Sequence, residues 1–278
     1  GESGDGIFLH AQTNRSKRQI VMNARTAIYQ NGKQLATERG ISKKKARTSE
    51  EIEIDVLANT TYTVEKYVSV YTSLDRGVSN PRKAAKDSVS QIKSFKKIYL
   101  AHAKIWKSLW DRADIRIIGD RFVQKTTRLH IYHLLQTVSP HIIEHDAGVP
   151  ARGLHGEAYR GHIFWDELFI FPFLNLSIPD ITRALLLYRY RRLPEARWAA
   201  RQAGYEGAMY PWQSSSDGRE ETQTLHLNPK SGRWLPDNSQ RQRHINIAIA
   251  YNVWHYYQVT GDVSFLSFYG AEMLIEIA

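Results

Sequence analysis

The chain has 278 residues, with 38 Lys and Arg against 28 Asp and Glu, a net charge of +10. Its 42% hydrophobic and 24% charged residues are those of a globular chain, long enough to bury one large core or two ordinary ones. The absence of cysteine excludes disulfides and thiolate metal sites. The longest apolar run, 163–176, is interrupted by Asp166, Glu167, Pro172 and Asn175, so no membrane partner is expected.

No charged-then-apolar leader is visible, and the expected compartment is the cytoplasm. The chain does not start with Met, opens in a strand-rich stretch and closes inside a helical pattern, which reads as a portion of a longer protein. Lys43-Lys44-Lys45 with Arg47, and the run Arg82 to Lys97, raise the question of nucleic acid. No helix-turn-helix, zinc finger or RNA-binding signature accompanies them. They are read as solvated faces, without a nucleic-acid partner.

Residues 7 to about 80 read as strands. The segments GIFLHAQ, QIVMNART, EIEIDVLA and YTVEKYVSVYTS are rich in Ile, Val, Thr and Tyr and partly alternate. Asn31-Gly32 and Arg39-Gly40 are the turn signals between them. From Arg82 to Asp111 the apolar residues recur at three and four, predicting one amphipathic linker helix that carries Trp106 and Trp110 on a common face. Helices are predicted at Arg121–Thr137, Trp165–Leu176, Asp180–Arg192, Pro194–Ala203, Gln242–Thr260 and Val263–Ala278. Pro179 and Pro194 fall near helix starts, and Gly204 and Gly261 where helices stop.

Two long loops, His141–Arg160 and Met209–Arg243, are of a length that is normally functional. At the end of the first, Trp165, Asp166 and Glu167 open a helix. An indole stacks on the apolar face of a sugar ring and carboxylates bind its hydroxyl edge, so this junction suits a saccharide. The plainer alternative is a core tryptophan beside two carboxylates that favour a helix N-terminus. The second loop brings Trp212, Gln213, Asp217, Glu220, Glu221, His226, Asn228, Arg233 and Trp234, with His244 just beyond, a set fit to line a saccharide cleft. The eleven histidines include His130 and His133, which sit among Leu, Ile and Tyr and read as satisfied core residues. No His-Glu-x-x-His pattern occurs and no metal site is assigned. There is no nucleophile elbow and no phosphate-cradling glycine loop, which leaves carboxylate chemistry and glycosidic cleavage as the natural candidate.

Four motifs in order carry a resemblance. Tyr159-Arg-Gly-His-Ile-Phe-Trp-Asp166, Leu185-Leu-Leu-Tyr-Arg-Tyr-Arg191, Gly207-Ala-Met-Tyr-Pro-Trp-Gln-Ser214 and the stretch His244 to Tyr257 resemble glycoside hydrolase family 65. VEKYVSVYTS and Arg82–Asp111 resemble that family's last sandwich strands and linker helices. The resemblance implies a mainly α fold: the end of an antiparallel β-sandwich at 1–80, a helical linker at 81–118 and the first part of an (α/α)6 barrel at 119–278. It implies cleavage of an α-linked glucose disaccharide of the kojibiose, trehalose or maltose type with inversion. Either hydrolysis or phosphorolysis fits, with inorganic phosphate as co-substrate in the second case and no metal or organic cofactor. A non-catalytic saccharide-binding protein on the same barrel is the alternative.

By resemblance, Trp165 and Asp166 hold the non-reducing glucose, and Trp212 and Gln213 line the same pocket, Gln213 standing where many members have Glu. Arg160, Glu221 and His244 complete the expected substrate contacts, with Glu220–His244 shaping the acceptor side. A homodimer is compatible with this reading. The family's general acid lies in a Gly-Pro-Asp-Glu-Tyr type motif that this sequence lacks. The acid is expected beyond residue 278, and the chain alone is expected to be half a barrel without activity. The length of the second loop leans the reading toward hydrolysis.

Overall fold

The computed structural model describes the chain except for residue 5 and residues 154–158, the latter within the first long loop. It divides into two compact units, Gly1–Lys107 and Ser108–Ala278.

The first unit is built on an antiparallel sheet. Strands β1 (Glu2–Ser3), β2 (Gly6–Gln12), β3 (Gln19–Gln30) and β4 (Lys33–Gln34) neighbour one another in that order. Two further strands, β5 (Gly40–Lys44) and β6 (Arg47–Glu51), form a separate hairpin, and β7 (Tyr62–Thr72) pairs along the whole of β3. The Asn31-Gly32 signal is a tight turn with φ of 48° and 82°, the left-handed pair that a two-residue hairpin demands. Helix α1 (Pro81–Gln91) starts on Asn80, whose Oδ1 accepts the Lys83 N–H at 3.0 Å. It covers the sheet face that carries Val21, Asn23, Tyr67 and Ser69, and Ser69 donates to the Ala85 carbonyl at 2.7 Å. Met22, Val64, Val68 and Val70 alternate onto the opposite face and are exposed.

The linker prediction is corrected here. The helix breaks at residues 92–94, and α2 (Phe95–Ala113) follows. Arg25 Nη2 donates to the Ile92 carbonyl at 2.6 Å, so a contact from the sheet occupies the group that a continuous helix would use. Trp106 and Trp110 are half-buried, while Leu109 and Ala113 form the buried edge of α2. EIEIDVLA is also corrected: only its first residue is in a strand, because its alternating stretch finds no partner strand among the described residues.

The second unit is helical, with α3 (Arg121–Gln136), α4 (Glu167–Ser177), α5 (Pro179–Tyr190), α6 (Leu193–Gln202) and α7 (His244–Thr260) close to the predicted spans. Asp120 caps α3 by accepting from Phe122 and Val123 N–H. Gly261 ends α7 in the left-handed conformation at φ 65°. Short α8 (Val263–Phe265) runs through a π-turn at 266–270 into α9 (Ala271–Ile277). Phe171, Leu174, Leu185, Leu186, Ile245, Ile249 and Val253 make the core between α4, α5 and α7. The second long loop holds a hairpin that its sequence did not announce, β8 (Leu225–Leu227) with β9 (Trp234–Pro236). His130 is exposed and His133 half-buried, which overturns their reading as core residues: the buried stripe of α3 is Ile131 and Leu135. No helix is long and apolar enough to cross a membrane among the described residues.

Candidate active site

The segment that follows the first long loop is joined to the second by a backbone bridge. Ile163 and Ser214 exchange both N–H···O bonds at 2.9 Å. This pairing sets the chain ends Ile163–Asp166 and Trp212–Ser214 side by side at the mouth of α4. Just before it, Tyr159, Arg160 and Gly161 all lie at φ between 56° and 70°, so the chain reverses in three consecutive left-handed residues.

Three aromatic rings meet there. The Trp165 and Trp212 centroids are 6.1 Å apart, and His244, at the first turn of α7, lies 5.2 Å from Trp165 and 5.0 Å from Trp212. Phe164 supports Trp212 edge-on at 5.7 Å and Phe169 supports Trp165 at 5.8 Å. Trp165 is still 36% exposed, so the cluster keeps an open aromatic surface rather than closing as core.

Asp166 stands next to this surface and is half-buried. It occupies the N-cap position of α4, yet its side chain makes no capping hydrogen bond. Burial pushes its carboxyl pKa up. It borders a concavity of about 610 Å³ that also touches His130, His133, Arg152, Phe169 and Ile170. A desolvated carboxylate that serves neither the helix end nor an ion pair among the described residues is open to a ligand hydroxyl.

Glu167, its neighbour, does different work. It is 1% exposed and sits in the core against Arg189, with Arg189 Nη2 at 3.0 Å and Nε at 3.1 Å from its Oε2. Arg189 Nη2 also donates to the Phe164 carbonyl at 2.9 Å. The buried pair therefore grips the backbone before Trp165 and after Asp166. Burial raises the Glu167 pKa and Arg189 opposes that rise. Among the described residues, Glu167 Oε1 and Arg189 Nη1 have no hydrogen-bond partner.

The second loop is held by groups that sequence reasoning assigned to the cleft or missed. Glu220, expected to line the cleft, instead accepts from Trp212 N–H at 2.8 Å, Gln213 N–H at 3.1 Å, and the Thr222 N–H and hydroxyl at 3.1 and 2.5 Å. Arg192 ties Ser215 and Ser216 carbonyls to Asp146 and stacks 3.6 Å from the Tyr188 ring centroid, while Tyr188 hydrogen-bonds Ser214 Oγ at 2.7 Å. Asn246 of α7 accepts the Tyr210 N–H at 2.7 Å. Nothing in the spacing of Arg192 marks it, and although Tyr188 lies in the second of the four motifs, the motif does not announce its hydrogen bond to Ser214.

Of the expected contacts, the structure brings the rings of Trp165, Trp212 and His244 together, with Gln213 the next residue after Trp212, while Asp166, the next residue after Trp165, borders the concavity of His130, His133 and Phe169. Gln213 Nε2 contacts His162 Nδ1. Glu221 donates its N–H to the Gln213 carbonyl at 3.0 Å, and its charge reaches His162. Arg160 is exposed. Asn228 closes the β8–β9 turn by accepting from Lys230 and Ser231, and Trp234 on that hairpin is exposed. Among the described residues no three His, Asp or Glu side chains gather as metal ligands.

Residues 1–109 match the glycosyl hydrolase family 65 N-terminal domain and residues 128–278 match the family 65 central catalytic domain. An uncharacterized glycosyl hydrolase of Mycobacterium tuberculosis is 46% identical over 274 residues, which is 99% of this chain and 21% of that protein. Trehalose 6-phosphate phosphorylase of Lactococcus lactis is 38% identical over 97% of the chain and 34% of its own length. Kojibiose phosphorylase of Halothermothrix orenii is 39% identical over 81% and 30%. The chain thus spans a fifth to a third of these relatives. A solved human-microbiome protein, provisionally assigned as a kojibiose phosphorylase, superposes over 100% of this chain and 35% of its own, with a TM-score of 0.77 at 22% identity, a likeness of fold. Both domain matches fall in one family and in its order, and the chain belongs to glycosyl hydrolase family 65.

Proposed function

We propose that these residues hold the non-reducing glucose of an α-linked glucose disaccharide, in an enzyme that cleaves the glycosidic bond with inversion by phosphorolysis. The observation that carries the reading is Asp166, half-buried and serving no cap, beside the open Trp165–Trp212–His244 surface. The indoles take the apolar ring face, and the carboxylate and the Gln213 amide take hydroxyls. Arg160 and Glu221 are further contacts in this proposal.

Inversion needs an acid on the leaving oxygen and a nucleophile on the opposite ring face. In phosphorolysis a phosphate oxygen forms the new bond to the anomeric carbon while the acid's proton goes to the departing sugar. The product is β-glucose 1-phosphate. The relatives with named activities are phosphorylases, which favours this over the hydrolysis suggested by the long loop. Hydrolysis is the second reading, supported by that loop and by the name of the M. tuberculosis relative. We place the acid and the phosphate-binding groups outside these 278 residues. We assign 1–80 to the end of a β-sandwich, 81–118 to a linker and 119–278 to the first part of an (α/α)6 barrel. No metal or organic cofactor enters the proposal.

The test is incubation with kojibiose, trehalose, trehalose 6-phosphate and maltose, with and without phosphate, followed by NMR of the anomeric protons. A polypeptide that continues through the family's acid motif is predicted to give phosphate-dependent β-glucose 1-phosphate from one of these sugars, and the 278-residue chain alone to give none. Phosphate-independent β-glucose would make it a hydrolase. Saturable binding without turnover in the longer polypeptide would favour the non-catalytic alternative.

A further inference from the structure

His162 and Gln213 are diagonal neighbours across the Ile163–Ser214 bridge, so main-chain pairing fixes the backbone under both side chains. Gln213 is 7% exposed and its Nε2 meets His162 Nδ1. No described residue donates a hydrogen bond to its Oε1. We propose that His162 is a positioning residue: it accepts the Gln213 amide N–H at Nδ1 and so turns the carboxamide to present Oε1, an acceptor, to the sugar on the Trp165–Trp212 surface. The inference rests on the reading of that pocket as a glucose site.

The chemistry follows from the donor inventory. A carboxamide offers two N–H groups at one end and an oxygen at the other, and a neutral imidazole offers one donor and one acceptor. With Nδ1 accepting, the ring proton sits on Nε2. Burial and the Arg160 charge both oppose protonation of His162, and Glu221 favours it more weakly, so the ring stays neutral. In this proposal the sugar meets two acceptors of different character, the carboxylate of Asp166 and the neutral carbonyl of Gln213. A glutamate at 213 would reverse the demand on His162, which would have to donate from Nδ1.

The test is a long-range proton–nitrogen correlation spectrum of the chain labelled with nitrogen-15 histidine, with His162 identified by its loss in His162→Asn. The expected result is a neutral Nε2–H ring between pH 6 and 8 and, in Gln213→Glu, a ring that is protonated or carries its proton on Nδ1. Asparagine places an amide oxygen near the position of Nδ1, so His162→Asn should bind kojibiose within about threefold of the parent. His162→Leu should lose about tenfold, the worth of one hydrogen bond to a fixed acceptor. An Nδ1–H ring or an imidazolium in the parent chain at pH 7, or undiminished binding by His162→Leu, would overturn the inference. A parent chain that binds no sugar but shows the Nε2–H ring would sink the glucose-site reading and leave the His162–Gln213 arrangement standing.

Discussion

Asp166 is held in the folded chain against its preference for water. Its folded pKa is raised by burial, and an acid with a raised pKa destabilises the fold above its unfolded value, the penalty fading as pH falls through the raised value. Asp166→Asn is therefore predicted to melt at or above the parent temperature at pH 7, with the difference vanishing near pH 3, read by calorimetry. Sugar binding should move the opposite way, weakening as pH drops through the raised pKa and falling about tenfold to a hundredfold in Asp166→Asn, as for loss of a charge-assisted hydrogen bond. Glu167 is the contrast. Removing it leaves Arg189 buried without its counter-charge, and Glu167→Ala should cost about 3–5 kcal/mol in urea unfolding. In the sequence the two carboxylates are adjacent and equivalent. One helical step separates them by about 100° in direction, and only the partner twenty-two residues on shows which of them faces the core.

At the scale of elements, the helices of the second unit were legible because their ends are marked. Asp120, Pro179, Pro194 and Gly261 each act at the backbone position where their chemistry counts. The linker break and the strandless EIEIDVLA were not, since both follow from what the rest of the chain offers: a guanidinium for the Ile92 carbonyl in one case, no partner strand in the other. The loop 209–243 stood out by its length, but its internal supports were invisible. Gly218 shows how closely it is seated. Its φ is +83°, and a Cβ there would come within 2.8 Å of Arg192 Cγ. Gly218→Ala should destabilise the chain by about 1–3 kcal/mol and loosen the Trp212–Gln213 segment, seen as faster exchange of the Trp212 and Gln213 amides that donate to Glu220.

At the scale of the molecule, the +10 charge is the feature most open to misreading. One member of the basic cluster at 43–47 is locally paired, Lys43 meeting Glu2 at 2.9 Å. Duplex DNA is predicted to show no saturable binding in a mobility-shift titration at physiological salt. The family was legible from motif order alone, because four motifs in the right order are far more specific than any one of them. The central claim is that Trp165, Asp166, Trp212 and Gln213 hold a glucose unit. It is tested most directly by titrating the 278-residue chain with kojibiose and following tryptophan emission, in parent and Asp166→Asn forms that are both fully folded at the titration temperature. The account predicts a saturable change in the parent, displaced by glucose and weakened about tenfold or more in the variant. A parent chain that shows no saturable change with kojibiose, trehalose or glucose, or a variant that binds as the parent does, would contradict it.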